Sequence, residues 1–282
     1  MVLVWIEQLK NRLFYNAIFI VAVMFAQPAT AVQVEFEFGG GLMKFDYVEY
    51  DDNNVFLDGE TGFIPGGVLK LKLNSQSVYS EFVGQLYGNT IQYDGQTQGG
   101  TPVQTDSDAV IFDTHYKFGF KFSSARNHGP YLGLGYRYWF RNIRSGYDIN
   151  GNPVAGLLEE YYWNYGLLGY SGSFRASEKM RVGFDIRHTK MFNAKMDVDF
   201  LGFGGYDDAQ VNLGEEVGSR ISVPVKMIMR GYSLIVSPYY ERIDIGKSNT
   251  VRLTSGGVPT TTLIHEPRSE TRNVGIEITW SW

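Results

Sequence analysis

The chain has 282 residues, of which 44% are hydrophobic and 20% are charged, and this composition excludes wholesale disorder. It contains no cysteine, so disulfide scaffolds, thiol catalysis and cysteine-based zinc sites are excluded. The formal net charge of −5 leaves no basic footprint for nucleic acid, and we expect no nucleic-acid partner. The 19 Phe, 19 Tyr, 5 Trp and 33 Gly residues, with only 9 Pro, favour a β-rich fold.

Residues 1–31 have the features of a secretory signal peptide. Lys10 and Arg12 supply a positively charged start, and an apolar stretch of about fourteen residues follows them. That stretch is too short for a comfortable transmembrane helix, and residues 29–31 have the A-x-A form of a signal-peptidase site. We expect cleavage there, which leaves residues 32–282 as one domain. An uncleaved N-terminal anchor is the alternative.

The segment 272–282 alternates with a period of two. One face is polar or small, and the other is apolar, consisting of Val274, Ile276, Ile278, Trp280 and Trp282. This period is typical of a strand rather than a helix. In a soluble sandwich the apolar face would point inward, whereas in a membrane barrel it faces lipid and the polar face lines the lumen.

Three features favour the membrane barrel. The same alternation recurs in many segments, these segments are longer than the five or six residues usual in soluble sheets, and the chain ends on an aromatic residue, Trp282. The predicted strands are 33–50, 62–73, 77–93, 107–123, 130–147, 157–174, 179–195, 213–229, 232–247 and 268–282. We therefore predict an all-β, closed antiparallel transmembrane β-barrel of about ten strands, with eight to twelve as the range.

The predicted connections alternate in length. Short ones lie at 74–76, 124–129, 175–178 and 230–231, and long ones lie at 51–61, 94–106, 148–156, 196–212 and 248–267. Short periplasmic turns and long extracellular loops are the expected asymmetry of an outer-membrane barrel. A soluble sandwich or a propeller does not predict this regular alternation. The expected location is the bacterial outer membrane, with lipid and lipopolysaccharide as neighbours and the barrel-assembly machinery engaged through Trp282.

The residues on the polar face of each predicted strand include many charged side chains, which predicts a network of charges inside the barrel. Its members are Glu35, Glu37, Lys70, Lys72, Glu81, Asp113, His115, Lys117, Arg137, Arg141, Asp185, Arg187, Arg220, Lys226, Glu241 and Glu277. Enclosed charges are costly unless they are paired and hydrogen-bonded, and barrels of about eight strands have lumens just filled by side chains. We therefore predict cross-strand pairs that close a polar lumen and conduct ions poorly.

Candidate chemistry inside the barrel is sparse. Asp113 and His115 share one face of a strand, so they are either an oriented general base or one more pair in the structural network, and we favour the network. No two of the four histidines have metal-ligand spacing, so we expect neither a metal nor another cofactor. The run Gly39-Gly40-Gly41 coincides with a change in the parity of apolar residues, which predicts a bulge or kink.

Two acidic pairs lie near the predicted extracellular edge: Asp106-Ser107-Asp108 at the start of strand four, and Asp197-Val198-Asp199 in the fourth long loop. With ten strands and long outer loops, this layout resembles the omptin proteases of bacterial outer membranes. Omptins carry an Asp-x-Asp pair and an Asp-x-His pair across the extracellular mouth to activate water. The resemblance implies Asp106, Asp108, Asp197 and Asp199 as the catalytic candidates of a peptidase, but the histidine is missing here.

We therefore predict a monomeric outer-membrane barrel that is not an enzyme, has no catalytic residues, and serves surface binding, adhesion or envelope integrity toward an unidentified extracellular ligand. Phe200, Leu201, Phe203 and Tyr206 in the fourth long loop suit either a partner contact or the outer aromatic girdle. The alternatives are a narrow porin for small solutes and an omptin-like peptidase.

Overall fold

A computed structural model describes residues 32–97, 99–122 and 128–282 of the chain. The predicted signal segment 1–31 and most of the predicted turn 124–129 lie outside these residues. Within them the chain consists of strands, with one short 3₁₀ turn at Phe203–Gly205. No helix among the described residues is long and apolar enough to cross a membrane.

The strands follow one another along the chain with few interruptions. They are β1 (Gln33–Tyr50), β2 (Phe56–Asn74), β3 (Val78–Gln96), β4 (Pro102–Phe120), β5 (His128–Ile143), β6 (Gly146–Tyr147), β7 (Pro153–Val154), β8 (Leu157–Ser177), β9 (Met180–Asp199), β10 (Ala209–Asn212), β11 (Val217–Ser222), β12 (Val225–Ile228), β13 (Ser233–Ile245), β14 (Val251–Ser255), β15 (Val258–Ile264) and β16 (Arg268–Ser281).

Ten strand positions, each of which we call a wall, form one closed antiparallel barrel. The walls, in order, are β1, β2, β3, β4, β5, β8, β9, the consecutive pieces β10 to β12, β13 and β16. The barrel closes where β16 pairs with β1, from Glu37 opposite Ser281 to Tyr50 opposite Arg268. The remaining strands form two small hairpins, β6–β7 and β14–β15, within long loops. The predicted fold class and strand number are confirmed.

The strands extend further toward the long loops than the sequence predicts. β2 begins at Phe56 and β4 at Pro102, within segments predicted to be loops. β9 likewise continues to Asp199. Each added residue satisfies backbone N–H and C=O groups against a neighbouring strand, so the wall continues beyond the apolar belt with polar side chains outside.

The outward face carries an apolar belt. On β16, the outward residues Val274, Ile276 and Ile278 are 57%, 38% and 39% exposed, although they are among the most apolar residues in the strand. Toward the long loops the outward positions of the same strand become charged, at Arg272 and Glu270. A band of exposed apolar side chains bounded by polar ones is what a lipid-facing surface requires.

The predicted bulge at Gly39-Gly40-Gly41 is wrong. β1 keeps one unbroken register with β16 through this run, and its odd-numbered residues point inward throughout. The apolar residues of β1 move from even-numbered to odd-numbered positions because the side chains that point into the barrel change from charged to apolar. Toward the short turns the inward residues are Glu35 and Glu37, whereas beyond the glycines they are Met43, Phe45 and Tyr47, each at most 4% exposed.

A true bulge lies on β9 at Asn193. Tyr162 of β8 faces Lys195, but Asn164 faces Phe192, so β9 contains one extra residue. Asn193 has a φ of 54°, in the left-handed region that Asn tolerates better than most residues. The bulge reverses the parity of the strand, because Met191 points inward before it and Ala194 and Met196 point inward after it.

Inside the wall, tyrosine rings lie over glycines of the neighbouring strand. A Cβ atom on Gly135 would lie 2.2 Å from Cζ of Tyr165, and one on Gly275 would lie 2.4 Å from Cζ of Tyr239. Each glycine is the direct register partner of its tyrosine. Three further register pairs share this arrangement: Gly66–Tyr87, Gly119–Tyr79 and Gly169–Tyr131. The rings lie flat against the wall where any larger residue would displace them.

Candidate functional site

The interior of the barrel is divided into levels along its axis. We call the end with the short turns the turn end, because Val32 and Trp282 also lie there, and the opposite end the loop end. From the turn end to the loop end the lumen holds an open vestibule, a central charged layer, an apolar layer and a buried acidic cluster. The sixteen predicted lumen residues all point inward, but they do not form one network.

The vestibule is a cavity of about 710 Å³ at the turn end. Its charged lining residues are Glu35, Glu37, Lys70, Lys72, Glu81, Lys117, Lys121, Arg181, Asp185, Arg187, Arg220, Lys226 and Glu277. Lys117 Nζ joins two walls, because it lies 3.0 Å from Glu81 Oε1 and 3.5 Å from Asp185 Oδ2. Deeper in the vestibule, Glu277 accepts hydrogen bonds from Lys70 Nζ at 3.0 Å and Gln85 Nε2 at 2.7 Å, and it also pairs with Arg220.

The central charged layer crosses the lumen. Arg137 donates from Nε to Asp113 Oδ2 at 2.8 Å and from Nη1 to Glu241 Oε2 at 3.1 Å. Arg187 donates to Glu241 Oε1 at 3.2 Å from the far wall. Two guanidinium groups thus meet two carboxylates, so the layer is balanced in formal charge. All four side chains are at least nine-tenths buried, and burial of this kind is tolerated only with such pairing.

His115 belongs to this layer and has no free ring nitrogen. Its Nδ1 lies 3.3 Å from Asp113 Oδ1, and its Nε2 lies 3.2 Å from Arg187 Nη1. Since Arg187 is always a donor, Nε2 acts as the acceptor and we assign the ring proton to Nδ1. The lone pair that a general base would use is therefore occupied, which favours the structural interpretation of the Asp113–His115 pair.

An apolar layer lies directly above, toward the loop end. Its members are Met43, Phe45, Tyr87, Ile111, Trp139, Trp163 and Ile243, all buried. Phe45 and Trp139 pack edge to face with ring centroids 5.5 Å apart. Between this layer and the charged layer there is a cavity of about 20 Å³, which is room for about one water molecule.

Arg141 stands apart from the predicted network, in a buried acidic cluster near the loop end. Its guanidinium group lies 2.8 Å from Glu60 Oε1, 2.9 Å from Glu49 Oε1 and 2.8 Å from Glu159 Oε2. Asp58 adds a fourth carboxylate at 3.3 Å. The predicted lumen network does not contain these acidic partners, because β2 was predicted to begin at residue 62 and Glu49 lies beyond the glycine run. The alternating parity of β1 would have placed Glu49 inside.

Glu266 connects this cluster to the last long loop. Its Oε1 accepts hydrogen bonds from Tyr161 at 2.7 Å and Tyr47 at 3.1 Å. Its backbone N–H donates to Ser248 Oγ at 2.8 Å, which joins the two ends of the loop. Burial, followed by the negative charge of Glu159, raises the pKa of Glu266 from 4.5 to about 8. Glu266 therefore holds a proton while the loop is docked.

The four peptidase candidates point away from the lumen. Asp106 and Asp108 are outward residues of β4, and Asp108 accepts hydrogen bonds from Arg144 at 2.6 Å and Thr90 at 2.6 Å. Asp197 accepts from Gln210 Nε2 at 2.6 Å on the outside of β9. Asp199 points the same way, because the bulge at Asn193 has reversed the parity of the strand. The structure does not bring these carboxylates together across the mouth.

No group of three or more His, Asp or Glu side chains among residues 32–97, 99–122 and 128–282 has the arrangement needed to hold a metal ion. This includes the acidic cluster around Arg141, where the guanidinium group occupies the centre.

The chain matches no family model and no curated protein. It is similar in structure to the outer membrane protease OmpT of Escherichia coli, with a TM-score of 0.59, 11% identity, and coverage of 89% of this chain and 96% of that chain. The translocator domain of the autotransporter NalP from Neisseria meningitidis gives a TM-score of 0.40 at 6% identity, covering 96% and 97% of the two chains. The toluene transporter TodX of P. putida gives 0.36 at 9%, covering 90% of each.

A TM-score of 0.59 at 11% identity establishes a shared fold and says nothing about activity. The fold is that of a bacterial outer-membrane β-barrel, with the architectural likeness to omptins that the strand and loop pattern predicts. Together with the closed barrel and its apolar belt, this fold confirms the predicted outer-membrane location.

Replacing Arg141 by Met should destabilise the barrel far more than replacing Arg144 by Met. Arg141 is 1% exposed, and its loss leaves several buried carboxylates without a positive partner. This lowers the free energy of unfolding by about 3–5 kcal/mol. The side chain of Arg144 is 47% exposed and pairs with Asp106 and Asp108 outside the barrel, where water screens the pair and its loss has little effect on stability. Urea unfolding in detergent micelles, followed by tryptophan fluorescence, measures the difference. Equal midpoints for the two variants would contradict the assignment of the buried cluster.

Docking of the last long loop should weaken as the pH rises. The pKa of Glu266 is higher when the loop is docked, so docking is fully stable below pH 4.5 and loses about 1.4 kcal/mol per pH unit above it. The loss ends near pH 8, where the docked carboxyl itself ionises. Glu266→Gln should remove most of this dependence, and the other carboxylates of the cluster account for what remains. Hydrogen exchange of residues 248–267 at pH 5, 7 and 9, corrected for intrinsic rates, measures it. A variant that keeps the full pH dependence would refute the role of Glu266.

Proposed function

We propose that this protein is a closed, non-enzymatic outer-membrane barrel that presents its loop end as a binding surface at the cell exterior. The observation that carries the proposal is the continuous filling of the lumen by the central charged layer and the apolar layer above it. In this role the turn end faces the periplasm, lipid and lipopolysaccharide surround the belt, and the terminal Trp282 serves recognition by the assembly machinery. A filled lumen leaves the outer loops as the part able to meet an extracellular ligand.

The fourth and fifth long loops are joined by hydrogen bonds into one surface, which we call the loop 4–5 surface and define as residues 200–208 and 246–267. Asp207 accepts hydrogen bonds from Gly256 N at 3.0 Å, Gly257 N at 2.9 Å and Thr254 Oγ1 at 2.6 Å. These donors lie in the hairpin of β14 and β15, whose two glycines have positive φ, as a tight hairpin turn requires. The hydrogen bond from Thr254 and those from the two glycines lower the pKa of Asp207, so its carboxylate stays ionised and keeps these hydrogen bonds at acidic pH.

The loop 4–5 surface exposes apolar side chains away from the membrane. Phe203 is 60% exposed and Val258 is 66% exposed, with Leu201 and Leu263 also exposed. β9 continues seven residues beyond Phe192, the last outward apolar residue before the bulge, which is a rise of about 23 Å along the strand. This distance from the belt favours partner contact over membership of the aromatic girdle. Phe200 and Tyr206 instead pack against each other, with ring centroids 5.7 Å apart.

Neither alternative function has comparable support. A narrow porin needs a passage through the level of Arg137, Glu241 and Arg187, where both arginines donate hydrogen bonds to Glu241. An omptin-like peptidase needs carboxylates gathered over the mouth, whereas Asp108 and Asp197 have partners on the outer face of the wall.

Purified protein reconstituted in planar lipid bilayers should give no stable conductance. The variant Arg137→Gly/Glu241→Gly/Trp139→Gly should open the lumen and give measurable, voltage-stable current, because it removes the side chains that cross it. Circular dichroism and heat-modifiable mobility in gels would confirm that the variant remains a barrel. Large, stable channels formed by the unaltered protein would reject the proposal.

Cells of a heterologous Gram-negative host that display the protein should attach to a panel of protein-coated and cell surfaces more than cells with an empty vector. Phe203→Ser/Val258→Ser should reduce this attachment at least several-fold, because it removes the two apolar side chains of the loop 4–5 surface with the highest exposed fractions. Val55→Ser is the matched control, since Val55 is 59% exposed on a different loop. Attachment that is unchanged in the double variant, or absent throughout the panel, would count against surface binding by these loops.

A further inference from the structure

The vestibule at the turn end has an excess of positive charge that its own carboxylates do not balance. Eight Lys or Arg residues and five Asp or Glu residues line it. The inner basic residues are paired, for example Lys70 and Arg220 with Glu277. At the mouth, Lys121 Nζ bonds to neutral oxygens alone among the residues that the structure describes, namely Asn74 Oδ1 and Ser75 O, both at 3.0 Å.

Arg181 is the second basic residue of the mouth without a counterion in the described part of the chain. It points into the vestibule from β9 and is exposed there. Its direct register partner on the neighbouring wall is Lys226 of β12. Like charges directly opposite each other on a sheet repel, and such a pair persists without cost only where an anion lies nearby.

One carboxylate, Glu35, serves several of these cations. It pairs with Lys226 of β12 and is the register partner of Lys72 on β2. It also accepts a hydrogen bond from Ser281 at 2.7 Å. Lys121 bonds to neutral oxygens and to no carboxylate of the described residues. Burial and the nearby charge of Lys72 also lower the pKa of its ammonium group, despite the opposing effect of Glu35. A bound anion would relieve this repulsion.

The shape of the vestibule suits a bound molecule rather than a passing one. Its volume of about 710 Å³ lies within the range of about 300–1,000 Å³ found for small-molecule sites. Inward, it ends at Arg187, His115 and Gln85, which belong to or adjoin the bonded layers. It is therefore a blind pocket that opens at the turn end.

We propose that this vestibule binds a small periplasmic anion carrying two or more negative charges, such as a phosphorylated solute, with Lys121, Arg181 and Lys72 as the binding cations. Lys226, the register partner of Arg181 on the neighbouring strand, contributes beside it, and Glu35 competes with the ligand for the same cations. The site is separate from the loop 4–5 surface, so it stands or falls independently of the proposed surface-binding function.

Isothermal titration of the folded, full-length mature barrel in detergent micelles with inorganic pyrophosphate tests the site. Saturable binding with one pyrophosphate per barrel is the expected result, and sodium chloride at the same ionic strength should not reproduce the heat. Wild-type protein that shows no saturable binding would overturn the proposal.

Three variants locate the site. Lys121→Gln/Arg181→Gln should bind pyrophosphate at least tenfold more weakly, and Glu35→Gln should bind it several-fold more tightly, because a competing carboxylate is gone. Arg144→Gln/Arg242→Gln removes two positive charges from the outer face near the loop end and should leave the affinity unchanged. Equal weakening in both double variants would show a non-specific charge effect and would also overturn the proposal, as would unchanged binding by Lys121→Gln/Arg181→Gln. Heat-modifiable mobility verifies the fold of each variant.

Discussion

The bridge from Asp113 through Arg137 and Glu241 to Arg187 is the interaction on which the rest of the interior depends. It joins β4, β5, β13 and β9, four walls that are not all neighbours. Ions removed from water cost several kcal/mol each unless partners meet them with good geometry, and that geometry exists only at one barrel diameter. The pairing therefore specifies the width of the lumen, and the ten-stranded wall in turn delivers these side chains to one level. Removal of Glu241 would leave Arg187 buried without its carboxylate partner and Arg137 with Asp113 alone, so the members of the layer depend on one another.

Tyrosines opposite glycines make this filling possible. A tyrosine that lies flat over Gly135 or Gly275 covers the wall without reaching the axis, and its hydroxyl remains available. Tyr165 uses that hydroxyl to donate to Asp113 at 2.9 Å, and Tyr131 donates to Asp185 at 2.7 Å. The aromatic and glycine content of the chain thus has a structural cause inside the barrel as well as at the lipid surface.

Alternation with a period of two predicted the barrel, its strand number and the inward position of the sixteen charged residues, because each wall must present one face to lipid and one to the lumen. The prediction failed where that contrast disappears. Beyond Gly41 both faces of β1 carry apolar or mixed residues, so Met43 and Phe45 suggested a bulge that does not exist. At Asn193 a real bulge changes the inward residues of β9 from odd-numbered to even-numbered positions. The sequence shows this as a change of the apolar positions from Met191 to Ala194 and Met196. The partners of each charge, such as Glu266 with Tyr161, depend on contacts between distant segments, which no local pattern contains.

The two ends of the lumen differ in electrical sign, and the middle keeps them apart. Carboxylates surround Arg141 near the loop end, whereas unpaired cations line the mouth of the vestibule. Placed together, these groups would neutralise one another and the end-specific chemistry would vanish. The central layer is balanced in charge, and the apolar layer above it holds room for about one water molecule, so neither end supplies mobile counterions to the other. The two proposed sites, the loop 4–5 surface and the vestibule, therefore lie on opposite sides of a filled section of the lumen.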